Sequence, residues 1–338
     1  MLIDTQSQPL QPNRSRPSRW RIAIGLLLTI LTLWFVQRTL SWSALQSALN
    51  TVDWRLFLLG LASIVATIGL KTVRWRLLFR PKQSAPPLYP AFNALMLNQF
   101  INLVFFLRVG ELGRMAYIGR NSADAAQALG TIIVEKWLEL LAALLTMLGL
   151  LTWLVVLPDG IDQRATRYAA IVLGLLGILY LLAFQNTHIV SIVSRIYKRF
   201  PPKWEARLHQ ATVAGLQGLA TLREPRAVAL QLLLSFGVML LYISTPYILF
   251  IAFGLPYTLF DAAVLHTGIG LVAAIPSTPG KFGLIEVSTL AILQFLNPSV
   301  PETQLLSYAI IFHLTIIIPP LIWGGMVALR FNWAWKTQ

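Results

Sequence analysis

Six apolar runs, at 20–37, 55–73, 131–157, 168–185, 227–253 and 303–329, meet or approach the length of about 20 residues that a helix needs to cross a bilayer. A backbone in lipid must satisfy its own hydrogen bonds, and a helix does so within one segment. The fold class that follows is an all-α polytopic membrane protein. Composition agrees: 12% of the residues are charged, about half the usual fraction.

The formal net charge is +14, and the position of the basic residues decides what it means. They gather between the apolar runs, as Arg14, Arg16, Arg19 and Arg21, then Lys71, Arg74, Arg76, Arg80 and Lys82. Arg195, Lys198, Arg199, Lys203 and Arg207 follow, and then Arg330 and Lys336. Placing all four clusters in the cytoplasm makes every span alternate in direction. The charge therefore reflects topology and contact with anionic lipid, and no soluble basic domain is left for nucleic acid. The chain has no cysteine, which excludes disulfides, thiolate catalysis and cysteine-ligated metals. Residues 1–19 read as a disordered basic cytoplasmic tail, 20–330 as a single integral membrane domain and 331–338 as a second cytoplasmic tail. The expected location is a bacterial-type inner (plasma) membrane with both termini in the cytoplasm.

Two further apolar stretches, 88–107 and 258–297, cannot be simple spans. With the basic clusters inside, 83–130 enters from and returns to the cytoplasm, whereas 254–302 enters from and returns to the outside. Both read as re-entrant hairpins of opposite sense. The expectation is six full spans and two hairpins meeting near mid-membrane, with halves at 20–157 and 168–329 forming an inverted repeat. Between the halves, 187–226 reads as a cytoplasmic linker, its Trp204, Leu208, Leu216, Leu219 and Leu222 forming an amphipathic face on the leaflet.

Each hairpin carries a polar break, and a charge at membrane depth marks a functional site by default. The first break holds Arg108, Gly110, Glu111 and Arg114, preceded by Asn98 and Asn102, which share a helical face. Glu111 lies three residues from each arginine and is expected to pair with one on its own face. In the second, Pro276 and Pro279 end the incoming helix, Gly280 and Gly283 permit tight or positive-φ backbone, and Glu286 opens the outgoing helix. A helix N-terminus beside Lys281 suits an anionic group such as a lipid phosphate. Glu286 is expected to cap those amides or pair with Lys281. A third polar group, Glu135, Lys136 and Glu139, lies at the start of the 131–157 helix. Its acids are ordinary dipole partners or, as like charges on one face, need a cation, with Arg108 or Arg114 the candidate. His266 and His313 have no second histidine or carboxylate at metal-ligand spacing and read as satisfied polar histidines. No nucleotide loop or serine elbow is present, so neither metal nor cofactor is expected.

These three motifs resemble those of the membrane domain of lysylphosphatidylglycerol synthase and its stand-alone relatives. That family's pattern is R-x-G-E-x-x-R after an asparagine-bearing helix, then E-R-x-x-D, then P-G-G-x-G-x-x-E, and all three occur in order across 98–286. Phe106 stands in place of a frequent proline, Lys136 and Glu139 in place of Arg and Asp, and Lys281 in place of the second glycine. The resemblance implies a flippase-like domain that translocates phospholipids or lipid-linked molecules, with an anionic lipid as partner. Asn98, Asn102, Arg108, Gly110, Glu111, Arg114, Glu135, Lys136, Glu139, Pro279, Gly280, Lys281, Gly283 and Glu286 would line its path. The soluble aminoacyl-transfer domain of the full synthase is expected to be absent, and the chain to be a transporter rather than an enzyme. Two alternatives stay open. One is a membrane-embedded transferase on lipid or polyprenyl substrates, using a base such as Glu111, Glu135 or Glu286. The other is a non-catalytic partner of a glycosyltransferase, and a homo-oligomer is a further expected assembly.

Overall fold

The computed structural model describes residues 52–79, 82–105, 109–121, 125–154, 224–273 and 279–331, with Gln46 and Asn50. The runs expected at 20–37 and 168–185, most of the 187–226 linker, the first tail, residues 332–338 of the second, Arg108 and Pro276 lie outside the described residues.

Every regular element among the described residues is helical. Helix α1 spans Trp54–Arg76, and Asp53 caps it by accepting from the amides of Arg55 (2.8 Å) and Leu56 (3.4 Å). The first hairpin is α2 (Leu88–Val104) and α3 (Gly110–Asn121), followed by α4 (Ala125–Leu154). Helix α5 (Pro225–Ala252) begins on a proline, whose missing N–H is unneeded in a first turn. The second hairpin is α6 (Leu259–Val272), a 3-10 turn at Pro279–Lys281 and α7 (Leu284–Leu296). Helix α8 (Glu302–Pro319) continues through a π-helical turn at Pro320–Gly324 into α9 (Gly325–Arg330).

Among the described residues, three stretches are long and apolar enough to span: Trp54–Arg76, Arg226–Ala252 and Glu302–Arg330. They match the expected runs at 55–73, 227–253 and 303–329. Helices α6 and α7 have 14 and 13 residues. At 1.5 Å per residue each reaches about 20 Å, short of a hydrocarbon core of about 30 Å. Each is too short to cross alone, and the two pack against each other as the arms of a hairpin do. One boundary differs from expectation: α4 starts at Ala125 rather than 131, so Glu135 lies about three turns inside it. The helix dipole acts within the first turn, so it does not hold Glu135 or Glu139.

Two apolar cores lie at opposite ends of α1. Its C-terminal half, with Leu78 and Phe79 just beyond it, supplies Ile68 and Trp75 to a core shared with Ala91, Ala94, Met96 and Ile118 of the first hairpin. Its N-terminal end supplies Phe57 to a core shared with Leu265, Ile269, Ile285 and Leu293 of the second. In that second core Phe250, Tyr308 and Phe312 stack, and the Tyr308 hydroxyl donates to the Pro246 carbonyl (3.1 Å). The hairpins meet between these ends, where the Pro279–Lys281 turn packs on α2. The π-helical turn also lies on α2, so closely that a Cβ on Gly324 would sit 2.4 Å from the Met96 carbonyl oxygen.

Candidate functional site

The first hairpin closes on its own asparagines. Asn102 donates to Asn98 Oδ1 (3.0 Å) and accepts from the Gly110 amide (2.8 Å), so a side chain from α2 satisfies the first free amide of α3. Contact is tight enough that a Cβ on Gly110 would lie 2.2 Å from the Asn98 carbonyl oxygen. That places Arg114, one turn on, against α1 and α4. Its guanidinium carbon lies 3.6 Å from the Trp75 ring centroid, while the Trp75 indole donates to Thr131 of α4 (2.9 Å).

Around Arg114 runs a network of ion pairs. Arg114 Nη2 meets Glu135 Oε2 at 2.7 Å, and Arg74 Nη2 lies 3.4 Å from Glu135 Oε1 and 3.3 Å from Glu139 Oε1. Lys71 meets Glu139 at 2.6 Å, and Lys136 meets Glu139 at 3.0 Å and Glu111 at 3.3 Å. Arg74 also donates to Ser235, and its own carbonyl accepts from Gln231, which ties the network to α5. Side-chain exposure rises along it, from 1% at Arg114 and Glu135 to 23% at Glu111 and 46% at Lys136. The network is thus buried at one end and open at the other. Four cations, Lys71, Arg74, Arg114 and Lys136, face three carboxylates, Glu111, Glu135 and Glu139. The Nε atoms of Arg74 and Arg114 are buried without a hydrogen-bond partner among the described residues. A surplus cation at the open end with unused donors deeper in is an arrangement that an anion completes.

Several pairings differ from the sequence expectation. Glu111 meets Lys136 across two helices rather than an arginine on its own face, because Arg114 turns to Glu135. Lys71 and Arg74 had read as cytoplasmic topology signals. Their register could have shown otherwise, since they continue the face of Ile64, Thr67 and Ile68 towards Trp75, all buried. His266 stacks on Tyr242 (4.8 Å), whose hydroxyl is 3.4 Å from Lys71 Nζ.

The second tip is built on left-handed backbone, with φ of 68° at Gly280, 58° at Lys281 and 81° at Gly283. Lys281 donates to the Ala273 carbonyl near the end of α6. Glu286 caps α7, as expected, by accepting from the Gly283 amide at 2.8 Å. Its other oxygen lies 2.7 Å from His313 Nδ1 of α8, and the His313 ring rests against Phe282. Sequence reasoning missed His313 as this partner; only its place in an apolar run, 27 residues from Glu286, hinted at a buried polar contact.

Comparison with known proteins adds a decisive finding. The model of the family described as lysylphosphatidylglycerol synthase TM region matches residues 22–324. The chain belongs to this family. Within the lysylphosphatidylglycerol synthase TM region lie both hairpins, the charge network and the Glu286–His313 pair. UPF0104 membrane protein PH1989 of Pyrococcus horikoshii is 22% identical over 335 residues, covering 91% of this chain and 96% of its own. Glycosyltransferase AglD of Haloferax volcanii is 24% identical over 319 residues, covering 85% of this chain but 51% of AglD. No solved structure matches the chain.

Proposed function

We propose that this protein moves an anionic lipid, a phospholipid or a lipid-linked molecule, between the leaflets of a bacterial-type inner membrane. The observation that carries this reading is the network at the first hairpin, where four cations face three carboxylates and two buried guanidinium Nε donors have no partner among the described residues. A phosphate offers oxygens to a guanidinium in planar geometry, which suits Arg74 and Arg114 better than it would suit lysines. The headgroup enters at the open end by Lys136 and Glu111 and passes towards the Gly280–Glu286 tip. Its acyl chains stay in lipid. Hydrolysis of ATP by this chain is no part of the proposal. The two halves, the cytoplasmic linker and the cytoplasmic termini belong to the same reading, because positive-inside placement of the basic clusters supports them.

The test is leaflet exchange of a labelled anionic phospholipid in proteoliposomes holding the full chain. Arg114→Ala is expected to lower exchange at least tenfold, which corresponds to about 1.4 kcal/mol of lost anion binding. Arg114→Lys should recover part of it. Full exchange by the Glu111→Gln, Glu286→Gln double variant would refute the path.

A second reading has its own observation. The chain matches about half of AglD, so a protein named a glycosyltransferase joins this kind of membrane region to a comparable length of other sequence. On that reading this chain is the membrane partner of a glycosyltransferase or a lipid-acting transferase itself. Product formation from a polyprenyl-linked substrate by the purified chain would favour the transferase. Co-purification with a glycosyltransferase, and loss of that enzyme's activity on changing residues 202–222 but not the tip glutamates, would favour the partner.

A further inference from the structure

The pair formed by Glu286 and His313 stands apart from the arginine network. Glu286 is held by one amide and one imidazole, and both side chains are buried. Thr289, one turn beyond Glu286 on the same face of α7, is fully buried with a hydroxyl that has no hydrogen-bond partner among the described residues. A carboxylate only accepts, so the Nδ1 that faces it carries the hydrogen, and Nε2 is the nitrogen left to take up a proton.

Resting on the transport reading, we propose that the Glu286–His313 pair is a proton-binding site that couples movement of the anionic lipid to a proton. Without the added proton the pair carries one negative charge beside the tip, and with it the pair is neutral. Imidazole is the side chain that ordinarily changes charge between about pH 5 and 8. A phosphate arriving at the Gly280–Gly283 turn is repelled by the first state and not by the second. Anion and proton therefore favour each other's binding, and that coupling is reciprocal. A lipid bearing one negative charge then crosses with one proton, with no net charge moved.

Among the described residues, the neighbouring charges leave this switch to the pair. Helix α7 carries no other ionised side chain, and α2 and the π-helical turn carry none. Glu302 and Asp261 lie at the starts of α8 and α6, Arg226 at the start of α5, and Arg330 at the end of α9. On α1, Arg55 is at the start, Arg76 donates to the Pro86 carbonyl, and Lys71 and Arg74 are engaged by Glu135 and Glu139. His266 stacks on Tyr242, itself beside Lys71. Lys281, in the adjoining turn, donates to Ala273.

The experiment reconstitutes the full chain in phosphatidylcholine vesicles with a trace of labelled phosphatidylglycerol and imposes a pH gradient. The label is expected to collect in the leaflet facing the alkaline compartment, by about tenfold per pH unit, the ratio set by one proton per lipid. His313→Gln, which leaves Glu286 charged with no proton to gain, should exchange lipid more slowly than the wild type and without responding to the gradient. Exchange by the wild type that ignores the gradient would overturn the coupling and leave the transport reading standing. A gradient response retained in His313→Gln would overturn the assignment to this pair. No exchange by the folded wild type under any condition would remove the transport reading, and the coupling with it.

Discussion

At the first hairpin, Glu135 is met by arginines from two helices, whereas at the second, Glu286 is met by one imidazole and one backbone amide. The first arrangement is redundant in charge: Glu139 alone touches Lys71, Arg74 and Lys136. The second has a partner that exists in a neutral form. Burying an ion costs several kcal/mol, and removing one member of a fixed ion pair leaves the other uncompensated. Removing the carboxylate of a carboxylate–imidazole pair leaves no orphaned charge, because an imidazole can stand neutral. The comparison teaches that the two tips tolerate charge loss differently, so one suits a permanent anion site and the other a reversible one.

The largest expected effect breaks the first tip. Glu135→Gln leaves Arg74 and Arg114 buried beside one fewer counter-charge, and the cost should be about 3–5 kcal/mol. Thermal unfolding of the detergent-solubilised protein, followed by gel filtration, would show it as a large fall in midpoint or loss of the monodisperse peak. Wild-type stability in this variant would mean that the network's charges are not held as described.

Gly110→Ala comes next and acts through space rather than charge. The added Cβ would meet the Asn98 carbonyl, which is main chain and cannot turn aside, so a cost of about 1–3 kcal/mol is expected. Gly283→Ala is the matched control at the second tip. There a Cβ meets nothing within 4 Å, and the penalty comes from φ alone, at about 1–2 kcal/mol. Equal exchange with lowered stability in both would separate tip geometry from transport.

Glu286→Gln should cost about 1 kcal/mol, since the amide keeps the shape, an acceptor for Gly283 and no orphaned charge. The protein is expected to insert and fold yet lose the response of lipid exchange to a pH gradient. Stability loss equal to that of Glu135→Gln would erase the contrast between the tips.

How far these features were legible depends on sequence distance. The three described spans follow from apolar length, and the cap of α7 follows from glycine and glutamate three residues apart. Both are local. The carboxylates' partners are not, since Arg74 and Glu135 lie 61 residues apart, and nothing in a single sequence fixes which helices touch. Lys71 and Arg74 were masked by a second meaning: basic residues at a span end serve topology by default. Glu111 went to Lys136 because Arg114 was claimed by a deeper acid and by the Trp75 ring, a competition visible only once α1, α3 and α4 are packed.

The smallest expected effect sharpens the comparison at the backbone. Lys281 is the non-glycine residue at positive φ among the described residues, and it stands in the second tip. Left-handed backbone costs an L-residue about 1–2 kcal/mol, while a charged donor on a carbonyl contributes a similar amount in the opposite sense. Lys281→Gly removes both the strain and the bond to Ala273, and should leave stability within about 1 kcal/mol of wild type. Lys281→Ala removes the bond and keeps the strain, so it should be less stable than the glycine variant by about 1 kcal/mol. Thermal unfolding of the pair measures that difference directly. Should alanine prove as stable as glycine, the turn would relax on losing its lysine, and the strained backbone would be maintained by the Lys281–Ala273 bond rather than by the packing of the Pro279–Lys281 turn on α2.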